Sequence, residues 1–336
     1  MSGARSRRAP ARRRWLGGAA MSMASLALGG IGALPRALRA ANAARTPVPT
    51  SVPTPVPNRI VVLNWELTET LLALGRAPIG IPLPDWYTAT IVTPPLPPRV
   101  ADVGLLYQPN FDVLRDLAPD LLIVTPEHAG LLAPLHRIAP TLTLGAYMNA
   151  AQPYDALQAE TLAMAHALDA QPRAHALIAD TARALDAVSA RLRGSAPRTV
   201  IVADAIDERH FRVYAKGSLF DAVLARLGVI NAVNPREASA AQARWTANAM
   251  GSAVVPLQRL TDVAHADMLL VGPLHDETRA ALGASPLWRA LPAARERRVA
   301  VLPVIAPYGG LLSMRRFAVA VEAALGAIAN AGGGLG

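Results

Sequence analysis

Short apolar runs rich in branched residues alternate with stretches of helical period along most of this chain. Residues 59–64 (RIVVLN) form such a run and predict a buried strand. Thr68 then offers a cap for a helix over 69–74, with Gly75 as its left-handed terminator. A second short strand is predicted at 79–81, a helix over 111–117 capped by Asn110, a strand at 120–124, a helix over 131–138 and a strand at 141–144. From Tyr154 to Arg193 the pattern becomes almost purely helical in two segments, with Pro172 suited to the first turn of the second and Gly194 following its end. A helix of roughly 22 residues is a rod of about 33 Å, long enough to run along two lobes. The alternation then resumes, with strands at 199–203 and 211–214, a helix over 219–227, strands at 267–271 and 298–303, and a last helix from about 310 to 329. Such alternation implies a parallel or mixed sheet covered by helices. The predicted fold class is therefore α/β, with two α/β lobes bridged by a single long helix.

Composition changes the picture at the N-terminal end. The chain has 336 residues and a net charge of +9, which suggests a nucleic-acid binder until the charges are located. Residues 1–43 hold eight arginines and no acid, and the rest carries 25 basic against 24 acidic residues. The basicity belongs to the leader, and the body offers no footprint for nucleic acid. Residues 12–16 (RRRWL) precede the run from Leu16 to Leu34, in which twelve of nineteen residues are Gly, Ala or Ser. Residues 41–43 (ANA) then supply a small-x-small cleavage pattern. This resembles a twin-arginine export signal, cleaved before Ala44, and predicts a periplasmic protein; an ordinary Sec signal and a retained anchor are the alternatives. The expected organisation is a signal over 1–43, a Pro-rich tether over 44–57, a first lobe over 58–150, a helical linker over 151–196 and a second lobe over 197–331. There are no cysteines, so disulfides, thiolate metal sites and a lipidated cysteine are all excluded.

The chemistry-bearing residues point away from catalysis. The chain has one lysine, Lys216, outside any Walker frame, and no G-x-S-x-G, G-x-G-x-x-G or H-E-x-x-H. Its seven histidines include no pair at helical spacing, so no cofactor or protein-held metal is expected. Asp204, Asp207 and Glu208 read as a solvated turn, and Trp288 reads as core. The other aromatics are more informative. Trp65, Tyr107 and Tyr308 each follow an apolar run, and Trp86, Tyr87 and Trp245 are expected in loops. Loops beyond strand ends are where α/β sheets bind ligands, so these residues suggest an apolar cleft.

A series of collinear segments carries a family resemblance. Residues 57–65 (PNRIVVLNW) with Glu69 and 71–75 (LLALG), then 94–97 (PPLP), 102–104 (DVG), 109–114 (PNFDVL) and 117–120 (LAPD), resemble periplasmic ferric-siderophore binding proteins. In the second lobe, 206–210 (IDERH), 217–220 (GSLF), 285–288 (SPLW) and 308–313 (YGGLLS) are similar to the iron-hydroxamate-binding members. The resemblance spans about 58–330. It implies a class III binding protein in which one long helix bridges two lobes, a shallow cleft, and delivery of the ligand to an ABC importer, its permease and its ATPase, by a monomer without catalytic activity. In such a ligand the siderophore itself supplies the six donors to iron, and the protein needs apolar walls with a few directional polar groups.

Carried over by position, Trp65 and Tyr308 match a cleft tryptophan and tyrosine, and Asn248 and Ser252 match polar contacts, with Met250 where the family has tryptophan. Leu106 stands where the family has its hydroxamate-binding arginine, His128 falls near its contacting tyrosine, and Ala306 and Pro307 replace two aromatics. Tyr107, His128, Arg244 and Trp245 are the replacements at hand. A hydroxamate-type ferric siderophore is the ligand expected; a haem or corrinoid receptor, and a periplasmic metal-handling enzyme on the same fold, are the other readings.

Overall fold

The computed structural model describes residues 55–194, 196–234, 245–330 and 332–335. The expected signal segment, most of the tether and Arg244 lie outside the described residues.

The first lobe is built on a five-stranded parallel sheet of order β3-β2-β1-β6-β7. Along the chain it runs β1 (Ile60–Val62), α1 (Trp65–Ala73), β2 (Pro78–Ile81), α2 (Pro84–Thr90), β3 (Ala101–Asp102), a hairpin of β4 (Gly104–Leu105) and β5 (Gln108–Pro109), α3 (Phe111–Leu117) and β6 (Leu121–Val124). A 3-10 segment, Pro126–Leu131, leads into α4 (Leu132–His136) and β7 (Thr141–Thr143). Alternate residues of the central strands serve two cores. Ile60, Val62 and Ile123 face one cluster, while Val61, Leu63, Leu122 and Val124 face the other. Burial on both faces is why these strands read as unbroken apolar runs.

Two helices follow, α5 (Pro153–Ala167) and the continuous 22-residue α6 (Gln171–Leu192). The second lobe holds β8 (Thr199–Ala205), β9 (His210–Tyr214), α7 (Leu219–Leu227), β10 (Ile230–Asn231), β11 (Ser252–Pro256), β12 (Asp267–Gly272), α8 (Asp276–Ala284), α9 (Pro286–Ala290), α10 (Pro292–Arg295), β13 (Val299–Val304) and α11 (Leu311–Ala329). Its sheet has the order β11-β9-β8-β12-β13, with β10 also pairing β8. The sheet is mixed, since β9 runs antiparallel to both β8 and β11 while β12 is parallel to β8 and β13. Trp288 is buried and stacks on Phe211, ring centroids 6.1 Å apart, in the core on one face of this sheet.

The opposite face shares its core with the first lobe. Val200, Val202, Leu269 and Val271 belong to one continuous buried cluster with Ile60, Val62, Leu71, Leu157, Leu185, Phe220 and Phe317. One apolar core, with α1, α5, α6, α7 and α11 contributing to it, therefore joins the inner faces of both sheets.

Several local expectations are corrected. The cap of α1 is Asn64, whose Oδ1 accepts from the Leu67 N–H at 2.8 Å, so the helix starts three residues before Thr68. Thr68 lies inside it and donates its hydroxyl to the Asn64 carbonyl at 2.8 Å. Trp86 and Tyr87, expected in a loop, lie on α2, with Pro84 at its first position. Asp204 is the sixth residue of β8 rather than part of an acidic turn.

Candidate ligand-binding site

Strand order in the first sheet reverses between β1 and β6, and the crevice beyond the carboxyl ends of these two strands is where open α/β sheets receive ligands. Trp65 opens α1 immediately after β1. Its indole N–H donates to the Pro82 carbonyl at 2.7 Å, and its ring stacks on Trp86 with centroids 6.2 Å apart and planes 6° from parallel. Trp86, from α2, is 59% exposed. The two indoles form a flat apolar wall.

Leu106 and Tyr107 are the two turn residues of the β4–β5 hairpin, in which Leu105 pairs with Gln108. This places Leu105 and Tyr107 in solvent, 52% and 58% exposed. His128 underpins the hairpin rather than facing a ligand, contrary to expectation: it is fully buried, its Nε2 lies 2.7 Å from the Leu106 carbonyl, and its ring backs Tyr107 with centroids 5.6 Å apart. A carbonyl only accepts, so Nε2 carries the proton and Nδ1 accepts from the Thr125 backbone N–H at 3.2 Å.

On the second lobe, Tyr308 follows β13 and its hydroxyl lies 3.2 Å from the Ser252 hydroxyl at the start of β11. Asn248 organises the approach to β11, its Oδ1 accepting from the Met250 and Ser252 backbone N–H groups, both at 3.0 Å. Met250 is half-buried beside the exposed Asn248. Gly251 has φ +71°, and a Cβ there would lie 2.1 Å from the Ser218 nitrogen, so only glycine fits this turn. Arg212, half-buried on β9, approaches Asp204 at 3.4 Å, and the same carboxyl accepts from the Tyr214 hydroxyl at 2.6 Å.

The two sets of residues meet at a seam between α1 and the start of α11. Glu69 is wholly buried and accepts from the Gly310 N–H at 3.0 Å, the Ser313 N–H at 2.7 Å and the Ser313 hydroxyl at 2.7 Å. A carboxylate at a helix N-terminus satisfies donors that otherwise lack partners and complements the helix dipole. Burial nevertheless pushes its pKa up, against those hydrogen bonds. Gly310 permits the contact, since a Cβ there would lie 2.9 Å from the Thr70 hydroxyl. Tyr147 adds a second tie, donating its hydroxyl to the Tyr308 carbonyl at 2.7 Å.

Tyr87 and Trp245 do not join the constellation. Tyr87 is the buried residue of α2, with its hydroxyl donating to the Pro94 carbonyl at 2.7 Å. Trp245 packs against the core on the outer face of the second sheet, its indole N–H reaching Asp262 at 3.4 Å and its ring lying 5.9 Å from the Arg259 guanidinium carbon. In both, the aromatic serves as an anchor. From the sequence, Glu66, Tyr147 and Arg212 were not singled out, and Glu69 was read as part of the family resemblance without a role at the site. The signal available for Glu66 was its place next to Trp65 at a strand end. A separate groove of 1010 Å³ lies between β13 and α11, lined by Val301, Pro303, Arg315, Val319 and Leu335 among others. Its described lining has no aromatic and no hydroxyl group. Among the described residues, no three or more His, Asp or Glu side chains are placed to hold a metal ion, and no helix is long and apolar enough to cross a membrane.

Known proteins of similar sequence and structure share this architecture. The family model described as "Periplasmic binding protein" matches residues 60–306. The iron(3+)-hydroxamate-binding protein FhuD of Escherichia coli is 30% identical over 272 residues, covering 80% of this chain and 88% of that protein. The achromobactin-binding periplasmic protein of Dickeya dadantii is 26% identical over 264 residues, 74% of this chain and 79% of that one. Among solved structures, Fe3+–Desferal-bound FhuD from Vibrio cholerae superposes with a TM-score of 0.72 at 26% identity, covering 80% of this chain and 98% of its own. Two lobes sharing one core, a continuous long helix between them and these matches over most of the chain lead to one assignment: the chain belongs to the periplasmic binding protein family.

Proposed function

We propose that this protein is the receptor of an ABC importer for a ferric siderophore of hydroxamate type. It captures the chelate between the Trp65–Trp86 wall and the Tyr308–Ser252 wall and delivers it to the permease and its ATPase. The observation that carries this reading is the stacked indole pair at the switch point, half-buried Trp65 under exposed Trp86, with a tyrosine–serine pair on the second lobe. A preformed chelate presents an apolar shell and a few carbonyl oxygens, which such walls suit. The relatives named for iron-hydroxamate and for Fe3+–Desferal support the hydroxamate class, and the achromobactin-binding relative shows that other ligands occur in the family. On this reading the protein acts as a monomeric carrier without catalysis, exported by a cleaved twin-arginine signal.

The test is a tryptophan-emission titration against a ferric trihydroxamate, a ferric tricatecholate, haem and cobalamin. Saturable quenching by the trihydroxamate at the lowest concentration is expected. A sharp Soret band on haem addition, with no response to any iron chelate, would replace the reading with a haem receptor.

A further inference from the structure

The first-lobe wall carries a carboxyl to which nothing above assigns a role. Glu66 sits in the first turn of α1, directly after Trp65, and is only half-buried. Its neighbours come from four elements. Asn64 before the helix and the backbone N–H of Glu66 itself hydrogen-bond the carboxyl, Glu69 stands one turn further along α1, and the Glu66 charge acts on Tyr107 of the hairpin and on Tyr147 of the 3-10 turn Ala146–Asn149. Glu127 also acts on Tyr107. None of these groups is a cation, and no described ion pair includes Glu66. The hairpin tip, where the family resemblance leads one to expect an arginine, presents Leu106 instead. On the second lobe, Arg212 is paired with Asp204 at 3.4 Å. The Arg316 guanidinium of α11, which donates to the Ile91 and Val304 carbonyls, acts on Glu69, whereas no cation is among the groups that act on Glu66.

We infer that Glu66 sets the charge preference of the cleft, admitting ferric chelates of positive or zero net charge and disfavouring anionic ones. This rests on the receptor reading proposed above. A half-desolvated carboxylate interacts with a nearby ligand charge more strongly than one in bulk water, so a single group can separate otherwise identical chelates. Burial raises the Glu66 pKa to about 7, with Glu69 pushing in the same direction. The discrimination should accordingly be strong at pH 8, where the group is ionised, and weak at pH 6, where it is mostly protonated.

The experiment uses three ferric complexes of one linear trihydroxamate, whose free end is an ammonium, its acetamide or its succinamate. Iron coordination is the same in all three, and the net charge runs +1, 0 and −1. Tryptophan-emission titrations of the wild type at pH 8 should show affinity falling about tenfold from the cationic to the anionic complex, narrowing at pH 6. Glu66→Gln should compress the series to within about threefold at both pH values, and Glu66→Lys should invert it. Circular dichroism establishes that each variant is folded. Equal wild-type affinities for the three complexes, or an unchanged series in Glu66→Gln, would overturn the inference and leave the receptor reading standing. Absence of quenching by all three would remove the receptor reading, and the charge preference with it.

Discussion

At the scale of single residues, the site consists of exposed and half-buried aromatics, of which Tyr107 and Tyr308 each have a buried polar neighbour, His128 and Ser252. His128 is the clearest case, because it bonds the Leu106 carbonyl on one side and the Thr125 N–H on the other. Replacing it by leucine leaves both groups unpartnered, and a stability loss of about 1–3 kcal/mol is expected in urea unfolding. Binding should weaken as well, since Tyr107 loses the ring behind it. A second expectation concerns pH. Glu66 has a pKa near 7 in the folded protein, above the 4.5 of a free glutamate, so the folded state holds this proton more tightly than the unfolded chain does. Its contribution is complete below pH 4.5 and is lost as pH rises through 7. Unliganded protein should therefore melt at progressively lower temperature from pH 5 to pH 8. Glu66→Gln should flatten much of that slope, leaving a remainder from Glu69, which is shifted in the same direction. A slope identical in wild type and variant would contradict the assignment. The sequence brought Trp65, Tyr107 and Tyr308 forward through their positions after apolar runs, Trp86 as an expected loop aromatic, and Ser252 through the family resemblance alone. It did not distinguish them from Tyr87, since which of Trp86 and Tyr87 is buried depends on the face of α2, a seven-residue helix that the pattern of the chain does not mark.

At the scale of elements, the seam between α1 and α11 decides how the two walls are held. Glu69 satisfies three donors of the α11 start from within α1. Glu69→Ala would orphan all three in a buried setting, and a loss of about 3 kcal/mol is expected by chemical denaturation, with Glu69→Gln milder because it keeps one acceptor. Equal stability of Glu69→Ala and wild type would show that the seam does not depend on this carboxylate. Long elements with a clear period were legible: α6, α7 and α11 fall within a residue or so of the pattern that predicts them. The start of α1 was displaced because Asn64 and Thr68 are both good caps, and only the backbone geometry selects the former. The β4–β5 hairpin, with two residues per strand, is too short to leave a period-two signature, so the tip that presents Tyr107 was invisible.

At the scale of the whole molecule, one buried cluster spans the inner faces of both sheets, and α6 runs unbroken for 22 residues. Separating the lobes would expose that shared core, and bending α6 would break backbone hydrogen bonds. Ligand binding should therefore change the radius of gyration in solution scattering by no more than about 1 Å for a domain pair of this size. A large compaction would mean that the lobes close about a hinge. The central claim is that a ferric chelate sits between the first-lobe indole wall and Tyr308. Its most direct measurement is the tryptophan-emission titration with a neutral ferric trihydroxamate, run in parallel on the wild type, Trp65→Ala and Tyr308→Ala. Saturable quenching in the wild type is expected, with each variant weakened by about 1–3 kcal/mol, roughly tenfold to a hundredfold in the dissociation constant. Binding curves that superimpose for all three folded proteins would contradict the account and place the ligand elsewhere on the molecule.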